Sequence, residues 1–153
     1  MRRTLALGCV ALGTTLAACA GNADLPEGWE AAERVEGLKQ APCAGSALAG
    51  DTPEALQANA AASGIAVSYD HAHFRCEQDV EAFVRRASGA LDLLVQPIDM
   101  DPSAVAGCDC LYDVSMQVPV ARGDYRLQLY RRWDNVNDPN DPVKIGETDV
   151  SVE

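Results

Sequence analysis

His71-x-His73 and Cys108-x-Cys110 are the residues whose types and spacing could do chemistry most directly. In a strand, positions two apart point to the same face. Two such pairs would offer two imidazoles and two thiolates, the donor set of a tetrahedral zinc or copper site. Thiols in an exported chain normally oxidise. The plainer reading is therefore two disulfides and two surface histidines, with no metal and no cofactor expected. Asp99 and Asp101 flank Met100 and could form an acid pair of the kind used in glycoside hydrolysis. A solvated loop before Pro102 accounts for them equally. The stretch from Asp134 to Asp141, with Asn135, Asn137, Asp138 and Asn140, is rich in oxygen ligands suited to calcium. It lacks the glycine and closing glutamate of an EF-hand, and an Asx- and Pro-stabilised hairpin loop explains it. Arg122-Gly123-Asp124 spells an integrin-type adhesion tripeptide and also reads as a plain turn. Arg131-Arg132-Trp133 could form a binding patch, but Trp133 shares parity with Leu127 and Leu129, which predicts core packing. The sequence contains no nucleophile elbow, phosphate-binding loop, dinucleotide fingerprint or His-Glu-x-x-His pattern. Its two histidines sit side by side, so a catalytic base has only one source. No enzyme is expected.

The chain has six cysteines. Cys9 and Cys19 lie near the front, leaving Cys43, Cys76, Cys108 and Cys110 downstream. An even number of thiols in an exported chain implies disulfides. A ring closed between Cys108 and Cys110 would be strained. Each is therefore expected to bridge elsewhere, one to Cys76 and the other to Cys43.

The front of the chain reads as an export signal. Arg2 and Arg3 precede an apolar run from Leu5 to Thr15, followed by Leu16-Ala17-Ala18-Cys19. The arginines hold the N-terminus on the cytoplasmic side while the apolar run enters the translocation machinery. Small Ala17 and Ala18 fit a peptidase cleft, and Cys19 supplies a thiol. A membrane-spanning helix needs about 20 apolar residues, more than this run has. The segment resembles the lipobox of bacterial lipoproteins. The resemblance implies diacylglycerol on the Cys19 sulfur, cleavage before Cys19, and an acyl chain such as palmitate on the new amine. Ala20 resembles the residue that sends such proteins to the outer membrane of Gram-negative cells. The expected organisation is a signal peptide over 1–18, a lipidated tether over 19–42 and one disulfide-stabilised domain over 43–153.

Removing residues 1–18 leaves 135 of the 153 residues, a length suited to one domain with one core. Net charge is −11 for the whole chain. Losing Arg2 and Arg3 leaves 10 basic against 23 acidic residues, a balance of −13. Such a surface repels nucleic acid and anionic headgroups. Membrane attachment must then come from lipid on Cys19, and two or three acyl chains hold firmly where one does not. The remaining candidate partners are an envelope protein or a glycan.

Elements follow from periodicity and punctuation. Trp29, Ala32 and Val35, spaced by threes, suggest a helical turn or two. Asp51-Thr52-Pro53-Glu54 reads as a helix start and Gly64 as its stop, giving one short helix over 53–62. Beyond Gly64 the period changes to two. Ile65, Val67 and Tyr69 alternate with Ala66 and Ser68, and a bend is expected near Asp70. Residues 79–87 fit either a helix or a strand. Leu91 to Gln96 is a strand broken by Pro97. Cys108, Cys110, Tyr112, Val114, Met116 and Val118 share one parity, which places both cysteines on the inner face. Strands follow from Tyr125 and over Val143 to Val152. Short strands separated by Gly, Pro, Asn and Asp suggest a β-sandwich.

Phe74-Arg75-Cys76, Cys108-Asp109-Cys110-Leu111-Tyr112-Asp113 and Gly123-Asp124-Tyr125 resemble a pattern in secreted and lipid-anchored bacterial domains of unassigned activity. It covers roughly residues 64–133. The resemblance implies an immunoglobulin-like antiparallel sandwich and tips residues 79–87 towards a hairpin strand. It implies no activity. The expected function is a lipid-anchored, non-catalytic binding or structural module of the cell envelope. The alternative is a periplasmic metal-binding domain using His71, His73, Cys108 and Cys110.

Overall fold

A computed structural model of the protein describes residues 25–44, 52–98, 108–133 and 141–153. These residues form nine strands: β1 (Glu33–Arg34), β2 (Lys39–Gln40), β3 (Ala55–Ala61), β4 (Gly64–Arg75), β5 (Val80–Ala87), β6 (Ala90–Pro97), β7 (Asp109–Val118), β8 (Gly123–Arg131) and β9 (Val143–Val152). They make two sheets. Sheet A runs β1-β5-β6-β8-β9 and sheet B runs β2-β7-β4-β3. The inward residues of both sheets meet in one core, with Ile65, Val67, Tyr69 and Phe74 of β4 and Val114 and Val118 of β7 packed against Val84, Leu91, Leu93, Leu127 and Leu129. The architecture is a β-sandwich. Alternate side chains point to opposite faces, so strands with one wet face must alternate in this way.

Most pairs are antiparallel, but β6 and β8 run parallel, with Leu91 opposite Leu127 and Leu93 opposite Leu129. The connection through β7 in the other sheet makes this necessary. The chain leaves sheet A after β6 and returns at the end where β6 began. The expected antiparallel sandwich is thus antiparallel among the described strands except at this pair.

No helix occurs among the described residues. The helix expected over 53–62 is strand β3, paired along its length with β4 from Ala55–Asp70 to Ala61–Gly64. Alanine is a good helix former, yet here Leu56 and Ala58 pack against the core while Gln57 and Asn59 face outward. Tertiary pairing outweighs a propensity worth only tenths of a kcal/mol per residue. Gly64 closes the two-residue hairpin instead of ending a helix. Its φ is +138°, and a Cβ there would lie 2.2 Å from the Val118 carbonyl oxygen. The ambiguous segment 79–87 is strand β5. The bend near Asp70 is a bulge between Tyr69 and Ala72, with His71 at φ 57°.

The segment expected as tether is part of the fold from Leu25 onward. Trp29, Ala32 and Val35 are buried, but they lie between successive turns and on either side of β1, not on a helix. Trp29 N–H donates to the Pro26 carbonyl and Ala32 N–H to the Trp29 carbonyl. Trp29, Ala32 and partly buried Leu25 pack on Phe83, Leu94 and Tyr130, on the outward side of sheet A. Trp29 meets the Tyr130 ring edge-on at 5.6 Å, and the Arg85 guanidinium lies 4.5 Å over its ring. Residues 25–35 are thus a strap across the central strands of sheet A. The strap then pairs its Glu33–Arg34 with the edge of β5, and Lys39–Gln40 with the edge of β7. These short strands cover edges that would otherwise invite pairing with another chain.

Candidate functional site

The outward side of sheet B forms an open groove of about 470 Å³. Register explains its shape. Lys39, Ser115, Ser68 and Gln57 lie opposite one another across four strands, and Gln117, Ala66 and Asn59 form the next row across three. Both rows are short in the middle and long at the flanks. Ser68 and Ala66 on β4, with Ser115, make the floor; amide side chains from β3 and β7 and the Lys39 ammonium make the walls. Hydrogen bonds fix part of this lining. Gln57 Nε2 donates to Asp70 Oδ2 at 2.6 Å, Ser68 Oγ donates to the other Asp70 oxygen, and Gln117 Nε2 donates to Ser63 Oγ at 2.7 Å. Such a surface can exchange hydrogen bonds with a hydroxyl- or amide-rich chain laid along β4.

Both expected disulfides are present. Cys43 bonds to Cys110 and Cys76 to Cys108, with Cα separations of 5.8 and 5.5 Å. Both tie neighbours at one end of sheet B. Cys76 N–H donates to the Cys108 carbonyl, and Ala44 N–H to that of Leu111. Cys110 is fully buried. Cys108, expected on the inner face, lies exposed before β7 begins, so the parity of that strand does not reach it.

These bonds bear on the four-ligand metal arrangement. Cys108 and Cys110 have no thiolate to offer. The bulge also breaks the period of two between His71 and His73. His71 is exposed and its N–H donates to Asp113 Oδ1 at 3.1 Å; His73 N–H donates to Glu54 Oε1 at 3.1 Å. Among the described residues no group of three or more His, Cys, Asp or Glu is placed to hold a metal ion. Cys19, Asp99, Asp101 and the oxygen-rich stretch from Asp134 to Asn140 lie outside the described residues. In Arg122-Gly123-Asp124, the aspartate accepts from Ser151 Oγ at 2.6 Å across the β8–β9 ladder.

Trp133 is half-buried, not a core residue; Arg132 is the buried member of its triplet. β8 ends at Arg131, so parity counted from Leu127 does not extend to Trp133. Arg132 Nε donates to Asp141 Oδ2 at 2.6 Å, with both side chains 8% exposed. Arg131 stacks on the Trp133 ring at 4.9 Å and donates to Glu54 Oε2 at 2.9 Å.

Glu54 joins the two sheets. Its second oxygen accepts from the Tyr69 hydroxyl and the His73 N–H of β4, while Arg131 approaches from β8. Burial raises the Tyr69 phenol well above its ordinary range, and the adjacent Glu54 charge adds to the shift. On the surface, hydrogen bonds from Lys144 and Arg126 hold the Glu147 carboxyl below the usual carboxylate range. Sequence reading missed Glu54 as a core bridge because it fitted a helix start so well. It missed the groove because small polar residues alternating with apolar ones mark an outward face without revealing its register.

Comparison of this chain with protein-family models, curated proteins and solved structures finds no match.

Proposed function

We propose that this chain is a lipid-anchored protein of the bacterial cell envelope, held through acylated Cys19, whose sandwich is a non-catalytic binding or structural module. The groove of sheet B carries the binding part of this reading. It is an open face of amides and hydroxyls with a floor of small side chains, shaped for a polymeric partner such as an envelope protein or a glycan. The two disulfides support a compartment outside the reducing cytoplasm. The Leu16-Ala17-Ala18-Cys19 signal and Ala20 support anchoring in the outer membrane of a Gram-negative cell. The acidic balance argues against nucleic acid.

The sandwich is further read as immunoglobulin-like, in the family pattern described above. Support comes from Tyr125 at the start of β8, whose hydroxyl donates to the Ala121 carbonyl at 3.0 Å. That contact has the form of a tyrosine corner at the crossing between sheets. The pairing of β4 with β7 in one sheet and β8 with β9 in the other fits the same scheme. The parallel neighbour β6 departs from it.

The test has two arms. Intact mass of the membrane-extracted protein should show cleavage before Cys19 and added acyl groups, and Cys19→Ser should leave an uncleaved, unacylated precursor. A ligand retained from envelope extracts by the native protein should be lost by Ser68→Arg, which fills the groove floor. Processing of Cys19→Ser at the same bond would overturn the anchor, and equal retention by Ser68→Arg would overturn the groove.

A further inference from the structure

We infer that the strap fixes the orientation of the sandwich on the bilayer, with the outward side of sheet A against the lipid headgroups and the groove of sheet B turned away. This rests on the anchor reading of Cys19. Six residue steps separate Cys19 from Leu25, and a fully extended chain of that length spans about 20 Å. Leu25 packs on the cluster of Trp29, Ala32, Phe83 and Leu94, of which Phe83 and Leu94 lie on β5 and β6, inside the edges of sheet A. To bring sheet B to the membrane, the connection would have to pass around a sheet edge. Half the width of five strands is about 10 Å, the sheets lie about 10 Å apart, and a layer of side chains covers each outer side. That path is about 30 Å, longer than the covalent connection.

An acidic chain meeting anionic headgroups is repelled unless its carboxylates are matched. On the sheet A side Asp92 is paired with Arg85 at 2.7 Å and Glu81 with Arg34 at 3.2 Å, and Glu147 lies against both Arg126 and Lys144, while Glu27 and Glu30 of the strap stay exposed, so the reach of the connection and not charge sets the orientation. The strap itself is not free to peel away. Trp29 is held beneath the Arg85 guanidinium and against Tyr130, so the domain cannot gain reach by releasing residues 25–35 without exposing Phe83 and Leu94.

The experiment uses full-length acylated protein inserted from outside into vesicles of phosphatidylethanolamine and phosphatidylglycerol. A single thiol is introduced either as Glu27→Cys on the exposed side of the strap or as Asn59→Cys on the groove wall. Each is labelled with a bulky maleimide–polyethylene glycol. Each is compared with a version carrying about 30 Gly/Ser residues after Ala20, which adds a root-mean-square reach of about 30 Å. The native disulfides are checked by mass. Glu27→Cys should lose labelling in the short-tethered form and regain it with the insertion; Asn59→Cys should label equally in both. Equal labelling at Glu27 with and without the insertion, or protection at Asn59, overturns the orientation. A protein that lacks acyl groups and fails to float with vesicles overturns the anchor reading itself, which separates the two failures.

Discussion

Replacing Glu54 with glutamine tests the bridge between the sheets. Glutamine keeps the shape of the side chain and an oxygen to accept from Tyr69 and the His73 N–H, but it removes the charge that faces Arg131. Breaking a buried ion pair by removing one partner costs about 3–5 kcal/mol, because the other charge stays buried alone. The Glu54 and Arg131 side chains keep 15% and 12% exposure. Water therefore screens part of the deficit, and the expected loss is about 2–3 kcal/mol. A chain of this size has a urea slope of about 2 kcal/mol per M, so the midpoint should fall by about 1–1.5 M with an unchanged slope. Adding Arg131→Met removes the orphaned charge and should recover at least about 1 kcal/mol relative to the sum of the single variants. A midpoint within about 0.2 M of the native protein, or strict additivity in the double variant, would refute the account of Glu54 as a bridging charge.

Trp29→Ala should cost about 3–4 kcal/mol by urea unfolding, with loss of the near-ultraviolet dichroism that Trp29 and Tyr130 share. Replacing Cys76 and Cys108 together by serine opens a loop with a sequence separation of 32, and Cys43 with Cys110 one of 67. Chain entropy assigns about 4 kcal/mol to each bridge, and near-native stability after either removal would contradict the stapling role. Tyr69 should resist ionisation. Its phenol pKa is raised in the folded state. Stability linked to it is thus complete below the free phenol's range and declines above about pH 10, where only the unfolded chain releases the proton. Absorbance at 295 nm should show one phenolate appearing only with alkaline unfolding, and that step should vanish in Tyr69→Phe.

Strands with one wet face were legible because alternation is a local property. The inward set from Cys110 to Val118 follows from period two alone, while the strand from Leu91 to Gln96 is marked by its apolar run and the proline that breaks it. The pairing of Cys76 and Cys43 with the two close cysteines followed from ring strain. Residues 53–62 were misread because Pro53, Glu54 and a run of alanines satisfy every local helix rule, while the pairing of β3 with β4 and its packing on the core are tertiary. A bulge accounts for the error at His71, and Trp133 lies beyond the end of β8, where parity no longer applies. Parity is counted residue by residue, and an extra residue changes the face of everything after it. The groove could not be found from the sequence because it depends on which of Gln57, Ser68, Ser115 and Lys39 stand side by side, and register is set across strands far apart in the chain.

The strap reverses the order in which the parts of this protein become available. Residues 25–35 leave the ribosome before any of the surface that will receive them, since Phe83, Leu94 and Tyr130 come much later. Trp29 therefore stays wet and solvent-accessible until the central strands have assembled, and its burial is a closing event of maturation.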